Sequence, residues 1–171
     1  MGGGSSSIRQ HKKGDSAYVK AHCSAKDATK AILEWAARNG CGITNLRLNL
    51  LLYFVQAYFI ALSEGKEKCF PEKIEARSYG AVVPDVHSDY MCYGSLWIPH
   101  VKLEGAELSK RDRQAVEAVA EHFSKMDDSE LSELVLKQTP WKNAFHPYCF
   151  QEMTVKSIAD FFLEGKERQG E

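Results

Sequence analysis

The sequence has almost no excess of charge of either sign. Its 22 lysines and arginines are balanced by 23 aspartates and glutamates, which gives a formal net charge of −1. Nucleic-acid-binding proteins usually carry a basic patch, because phosphate contacts supply much of their affinity. The basic turn Ser109–Arg113 is the one feature here that favours such binding, and neighbouring acidic residues offset it. We therefore expect no direct nucleic-acid binding by this domain.

The sequence also lacks the short motifs of several enzyme classes. It contains no P-loop and no G-x-G-x-x-G, and Gly40-Cys-Gly42 is too short to hold a phosphate group. Its five cysteines include no C-x-x-C pair, and widely spaced free cysteines are typical of a reducing cytosol. The first residues lack the apolar core of a signal peptide. We expect a cytoplasmic protein with no cofactor and no catalytic residues.

The sequence does contain one long apolar run, residues 44–62. Arg47, Asn49 and Gln56 interrupt it, and neither a second apolar segment nor a basic loop accompanies it. Such a pattern does not favour a membrane span, although the length is close to that needed. A helix that is apolar on every side has to be enclosed by other elements. The run therefore predicts a buried central helix.

Helical spacing and capping residues predict five further helices around the central one. Ser24 and Asp27 have the spacing of a capping box at the start of the first, and Thr44 is the expected cap of the central helix. Between residues 66 and 83, Lys73–Tyr79 alternates apolar and polar residues, as in a short strand, and Ala81–Val83 could pair back onto it. The fold class is therefore mainly α (α+β), a compact bundle of about six helices with one small β-hairpin-like element. The five outer helices are predicted at residues 25–39, 84–90, 110–123, 128–139 and 155–163, with Trp141 in a loop after Pro140.

Three segments are distinguished along the chain. Residues 1–20 begin with a low-complexity Gly/Ser stretch and are expected to be a flexible tail. Residues 21–165 are predicted to form a single helical domain, since this length suits one hydrophobic core. Residues 166–171 are expected to be a second flexible tail.

A metal or enzyme site has only scattered support in the sequence. His146 and Cys149 have H-x-x-C spacing, yet a structural zinc site needs four ligands, and the others would have to come from residues such as His22 and Cys23. Asp85 and Asp89 would share one helix face, with His87 pointing away from it. A small enzyme or metal-binding protein with a site near Asp85, His87 and His146 is the alternative to a binding module.

Residues outside the amphipathic helices indicate a possible recognition surface. Tyrosine, tryptophan and arginine are typical anchors of protein interfaces. The same residues could instead anchor loops onto the core, with the prolines setting helix boundaries. The candidate partner-binding residues are Arg77, Tyr79, Pro84, Asp85, Trp141 and Lys142.

Three segments, in this order, resemble the Panacea domain, a bacterial and phage-associated family that includes SocA-like and GepA-like proteins. They are Leu48–Phe54, similar to L-Q-K-L-L-Y-Y; Ala76–His87, similar to A-W-x-Y-G-P-V-V-P-E-V-Y; and Leu131–Ala144, similar to L-x-E-L-T-H-x-x-x-P-W-x-x-A. The resemblance spans about residues 27–163. The chain departs from the family pattern at Leu50, Arg77, Ala81 and Val135-Leu136 and is a divergent member.

The resemblance implies an antitoxin or proteolytic-adaptor-like module that binds and neutralises a cognate toxin. A Clp-type protease is a further partner that it implies. Specificity would come from flanking segments, here residues 1–24, basic at Arg9–Lys13, and the tail after Leu163. A prophage accessory protein that binds a host protein is another alternative.

Overall fold

Seven α-helices and five short strands form within residues 19–100 and 102–167, the part of the chain that the computed structural model describes. The helices are α1 (Ala25–Arg38), α2 (Asn45–Leu62), α3 (Pro84–Tyr90), α4 (Lys110–His122), α5 (Asp128–Leu136), α6 (Thr139–Ala144) and α7 (Val155–Glu167). The strands are β1 (Lys20–Ala21), β2 (Glu67–Lys68), β3 (Glu75–Arg77), β4 (Gly80–Val82) and β5 (Gln151–Glu152), and a short 3-10 helix spans Met91–Tyr93.

The predicted fold class, mainly α with a small β part, is confirmed. One helix was not predicted, because Trp141 was expected in a loop after Pro140, and it lies instead in α6. Pro140 occupies the first turn of α6, where its missing N–H would have no helical partner. Proline therefore begins a new helix here, after α5 has already ended at Leu136.

Helix α2 runs through the centre of the domain. It is the one helix in the described residues that is long and apolar enough to cross a membrane, but 78% of that stretch is buried inside the domain. Helices α1, α3, α4, α5 and α7 pack against it, together with β2 and β4. The prediction of an enclosed central helix is confirmed, and the polar residues within it have to be satisfied by these neighbours.

Two of those polar side chains bind the backbone of surrounding loops. The guanidinium of Arg47 donates to the carbonyl oxygens of Met126 and Phe123, both at 2.7 Å, and to Asp128 at 3.0 Å. Gln56 accepts from the backbone N–H of Cys69 at 2.8 Å and donates to the carbonyl of Phe70 at 2.8 Å. Each side chain therefore fixes a connection that would otherwise have unpaired polar groups against the core.

Helix starts follow the capping residues of the sequence. Ser24 and Asp27 form the predicted capping box of α1, in which each side chain accepts from the other residue's backbone N–H. Thr44 accepts from the N–H of Arg47 at the start of α2, as predicted. Helix α5 begins at Asp128, as predicted, and Asp127 before it forms a capping box with Glu130.

The strands form two small sheets. Strand β3 is the centre of a three-stranded antiparallel sheet with the order β4-β3-β5, in which Ala76 faces Ala81 on one side and Gln151 on the other. Strand β1 pairs in parallel with β2. Most of the two predicted tails, residues 1–18 and 168–171, lies outside the described residues; Lys20 begins β1, and α7 extends to Glu167.

A candidate protein-binding face

The turn between β3 and β4 is pressed onto α2 and α5. Gly80 has φ = +139°, and a Cβ at this position would lie 2.6 Å from Cδ2 of Leu50. The hydroxyl of Ser132 in α5 donates to the carbonyl oxygen of Tyr79. The turn therefore has little freedom to move, and it presents Tyr79 at a defined place on the surface.

The junction between β4 and α3 is held by an asparagine of the central helix. The side-chain oxygen of Asn49 accepts from the N–H of Val83 at 2.9 Å, and its amide donates to the side chain of Asn45, also at 2.9 Å. Asn45 in turn donates to the carbonyl oxygen of His87 at 3.1 Å. This chain of bonds fixes the start of α3, where Pro84 and Asp85 are the first two residues.

Trp141 connects α6 to the sheet. Its indole Nε1 donates to the carbonyl oxygen of Arg77 at 2.8 Å, and its ring stacks on Phe145 with centroids 4.6 Å apart. The side chain is partly buried. The proposal that Trp141 anchors a surface segment to the core therefore has direct geometric support, and the neighbouring Lys142 is exposed.

Arg77 is also held in place. Its guanidinium pairs with the carboxylate of Glu75 at 2.7 Å and lies 3.6 Å from the centre of the Phe150 ring. Only 18% of its side chain is exposed. Arginine over an aromatic ring gains cation–π attraction, so the arginine and the phenylalanine position each other.

The sequence analysis missed two exposed aromatic residues, Phe150, which contacts Arg77, and Tyr148, two residues before it. Tyr148 is 91% exposed and Phe150 is 66% exposed, whereas Tyr79 is 38% exposed. Both precede β5, the outer strand next to β3. Their spacing of two residues just before a strand would have been the signal, since alternate residues of a strand share one face. We define Arg77, Tyr79, Trp141, Tyr148 and Phe150 as the aromatic face.

The structure brings together some of the predicted residues and separates others. Arg77 and Trp141 are in direct contact, and Tyr79 follows Arg77 in the same turn. Pro84 and Asp85 lie at the opposite end of β4. Their helix contacts Tyr79 through His87, whose Nε2 is 3.4 Å from the Tyr79 hydroxyl.

The environment of His87 favours its neutral form. Partial burial, and then the charge of Arg77, lower the pKa of this imidazole.

The side chains considered for metal binding are dispersed. His22 contacts Glu67 and Asp112, whereas Cys23 lies next to Cys69. His146 pairs with Cys149 across a tight turn. In residues 19–100 and 102–167, no group of three or more His, Cys, Asp or Glu side chains is arranged to hold a metal ion.

Comparison with known proteins places the chain in a family. Comparison with curated proteins and with solved structures gave no significant match. The family described as "Antitoxin SocA-like, Panacea domain" matches residues 48–142, more than half of the chain. The matched part begins in α2, includes the β3–β4 hairpin and ends in α6 directly after Trp141. This chain therefore belongs to the family of SocA-like antitoxins that is defined by the Panacea domain.

Proposed function

We propose that this chain is a non-enzymatic antitoxin that binds a partner toxin through the aromatic face. The observation that carries the proposal is the exposure of Tyr148 and Phe150, of which Phe150 packs on Arg77, the residue that Trp141 holds in place. Membership of an antitoxin family supports a protein partner. Aromatic and arginine side chains supply most of the binding energy at many protein interfaces, which fits this composition.

The rigidity of the aromatic face supports the same function. Phe150 is positioned by the guanidinium of Arg77, and the backbone of Arg77 is positioned by Trp141. Side chains that are already ordered lose little conformational entropy on binding, so more of their contact energy contributes to affinity. Pro84, Asp85 and Lys142 belong to the proposal as residues at the edge of the interface.

The cellular setting is part of the proposal. We infer a cytoplasmic protein of bacterial or phage origin whose partner is a cognate toxin. Delivery of the bound toxin to a Clp-type protease would be a second step, and this step makes the chain a proteolytic adaptor. The proposal requires no cofactor, because binding alone neutralises the toxin.

The test is co-expression with the product of the gene next to this one, which the proposal expects to be a toxin. The unmodified chain should restore growth and bind the purified toxin, and Tyr148→Ala and Phe150→Ala should each weaken binding at least about tenfold. Leu62→Ala is the control, because Leu62 is a 59% exposed apolar side chain at the end of α2 that does not belong to the aromatic face.

Charge reversal at Arg77 gives a second test. Arg77→Glu would place a carboxylate beside Glu75 and remove the contact with Phe150, so both binding and local order should suffer. The helical circular dichroism should remain unchanged, because Arg77 lies in the sheet. If toxin binding survives all three substitutions at full strength, the interface lies on another face.

A further inference from the structure

Two free cysteines lie side by side where the described chain enters the domain. The sulfur atoms of Cys23 and Cys69 are 3.6 Å apart, and the Cys23 thiol also donates to the carbonyl oxygen of Cys69 at 3.4 Å. A disulfide bond is about 2.05 Å long. Bond formation therefore needs the two sulfur atoms to approach by roughly 1.5 Å, a distance that side-chain rotation can supply.

The backbone around the two cysteines is held in register. Strand β1 pairs in parallel with β2, with Lys20 opposite Glu67. The ladder continues beyond the strands, because the N–H groups of His22 and Cys23 both donate to the carbonyl oxygen of Cys69, at 3.0 and 2.9 Å. The backbone pairing therefore places Cys23 and Cys69 next to each other.

The ring of His22 fixes the same segment from the other side. One ring nitrogen lies 2.8 Å from a carboxylate oxygen of Glu67, and the other lies 3.0 Å from Asp112 in α4. The segment that carries Cys23 is thus attached both to the loop after α2 and to α4. A reaction between Cys23 and Cys69 needs no rearrangement of the chain.

We propose that Cys23 and Cys69 are an oxidation site, at which hydrogen peroxide produces an intramolecular disulfide bond. Cys23 reacts first, because it is partly exposed whereas Cys69 is fully buried. The hydrogen bond with Cys23, together with burial, raises the pKa of the Cys69 thiol well above its usual range. Cys69 therefore remains protonated until the second step.

The reaction balances in two steps. Cys23 loses its proton and its sulfur attacks one peroxide oxygen; the O–O bond breaks, and the departing hydroxide takes up the proton as water. The sulfur of Cys69 then attacks the sulfenic acid at Cys23, the S–O bond breaks, and hydroxide leaves with the Cys69 proton as a second water. Two thiols and one peroxide become one disulfide and two waters, with two electrons passing from sulfur to oxygen.

The new bond would close a loop that contains both α1 and α2. In the reduced protein the attachment of the segment that precedes α1 consists of the β1–β2 backbone pairing and the side-chain contacts of His22. A cross-link reduces the freedom of the unfolded chain, and a loop of this length is expected to raise the melting temperature by several degrees. Oxidation therefore adds a covalent link, reversible by reduction, between the segment that precedes α1 and the segment after α2.

The experiment treats the reduced full chain with a few equivalents of hydrogen peroxide, blocks the remaining thiols and maps the peptides by mass spectrometry without reduction. The expected product is 2 Da lighter, links the Cys23 peptide to the Cys69 peptide, and melts several degrees higher until dithiothreitol is added. A Cys41→Ser, Cys92→Ser, Cys149→Ser variant should give the same product, because it keeps only the proposed pair.

Two single substitutions in that background are the matched controls. Cys69→Ala should trap the sulfenic acid at Cys23, which dimedone labels, whereas Cys23→Ser should give no label and no mass loss. The proposal is overturned if Cys23 and Cys69 are both still alkylated when the folded wild-type protein is treated with peroxide and its thiols are then blocked in denaturant. It is equally overturned if the only disulfides found join Cys92 or Cys149, or join separate molecules.

Discussion

Replacing Gly80 by alanine would strain the backbone and also create a steric clash with a neighbouring side chain. Its φ of +139° is costly for any residue with a Cβ, and that Cβ would lie 2.6 Å from Leu50. We expect Gly80→Ala to lower the free energy of unfolding by about 2–4 kcal/mol, measured by urea denaturation. Gly165→Ala in α7 is the control: nothing lies within 4 Å, so it should raise stability by about 0.5 kcal/mol. Equal effects at both sites would contradict the argument.

The lowered pKa of Asp27 makes the stability of the protein depend on pH. Burial alone would raise the pKa of Asp27, but hydrogen bonds from the N–H groups of Ser24 and Ala106 outweigh it and hold the value below 3.8. A carboxylate whose pKa is lowered by folding stabilises the protein above its unfolded pKa, and this contribution is lost as the pH falls through the folded value.

Asp27→Asn should therefore lower stability by about 1 kcal/mol at pH 7. Thermal melts of both proteins between pH 7 and pH 3 provide the measurement, and the difference should stay constant down to about pH 5 and shrink below pH 4. Asp160→Asn is the control, because its pair with Lys156 is exposed to water and should contribute little to stability. A difference that grows in acid would have the wrong sign.

Among the elements, the start of α3 depends on a bond from α2. Asn49→Ala would leave the N–H of Val83 without a partner in a fully buried position. Burying an unpaired backbone donor costs about 1–3 kcal/mol, and the lost bond to Asn45 adds to this. We expect a total loss of about 2–4 kcal/mol in chemical denaturation.

The control for Asn49 is the same substitution at a helix end. Asn39 caps α1 from an exposed position, where water can replace its bond to Trp35. Asn39→Ala should therefore cost less than about 1 kcal/mol. If Asn49→Ala were as mild as Asn39→Ala, the asparagine bridge would not determine the position of α3.

The sequence predicted those elements whose causes are local. The burial of α2, the caps at Ser24 and Thr44 and the hairpin around Gly80 follow from residues close together in the chain. Helix α6 was missed because Pro140 signals either the end of one helix or the first turn of the next, and only the geometry of the preceding residues decides.

The residues of the candidate site that the sequence did not predict owe their positions to contacts between distant parts of the chain. The exposure of Tyr148 and Phe150 depends on the pairing of β5 with β3, about 75 residues earlier in the chain. The contact of Arg77 with Phe150 follows from the same pairing. Pairing between distant short strands leaves almost no local pattern, so Arg77 and Trp141 could be named as candidates, whereas their exposed neighbours could not.

For the whole molecule, we expect the folding unit to be larger than the segment that matches the family, residues 48–142. A fragment of residues 48–142 would lack α1, α7 and the first turn of α2, including Thr44 and Arg47. The faces of α2 that pack on α1 and α7 would then be open to water. We expect this fragment to show no cooperative thermal transition by circular dichroism, whereas the full chain shows one. A cooperative thermal transition of the fragment would show that α1 and α7 are not required for folding.

The polar side chains of α2 have one more consequence. Asn45, Asn49 and Gln56, and in large part Arg47, reach main-chain atoms of the segments around them. Every amino acid offers the same carbonyl, and every one except proline offers the same amide. The outer segments can thus exchange their residue types over evolutionary time without giving up their attachment to the centre. A scaffold of this kind keeps its framework while the residues on its surface change.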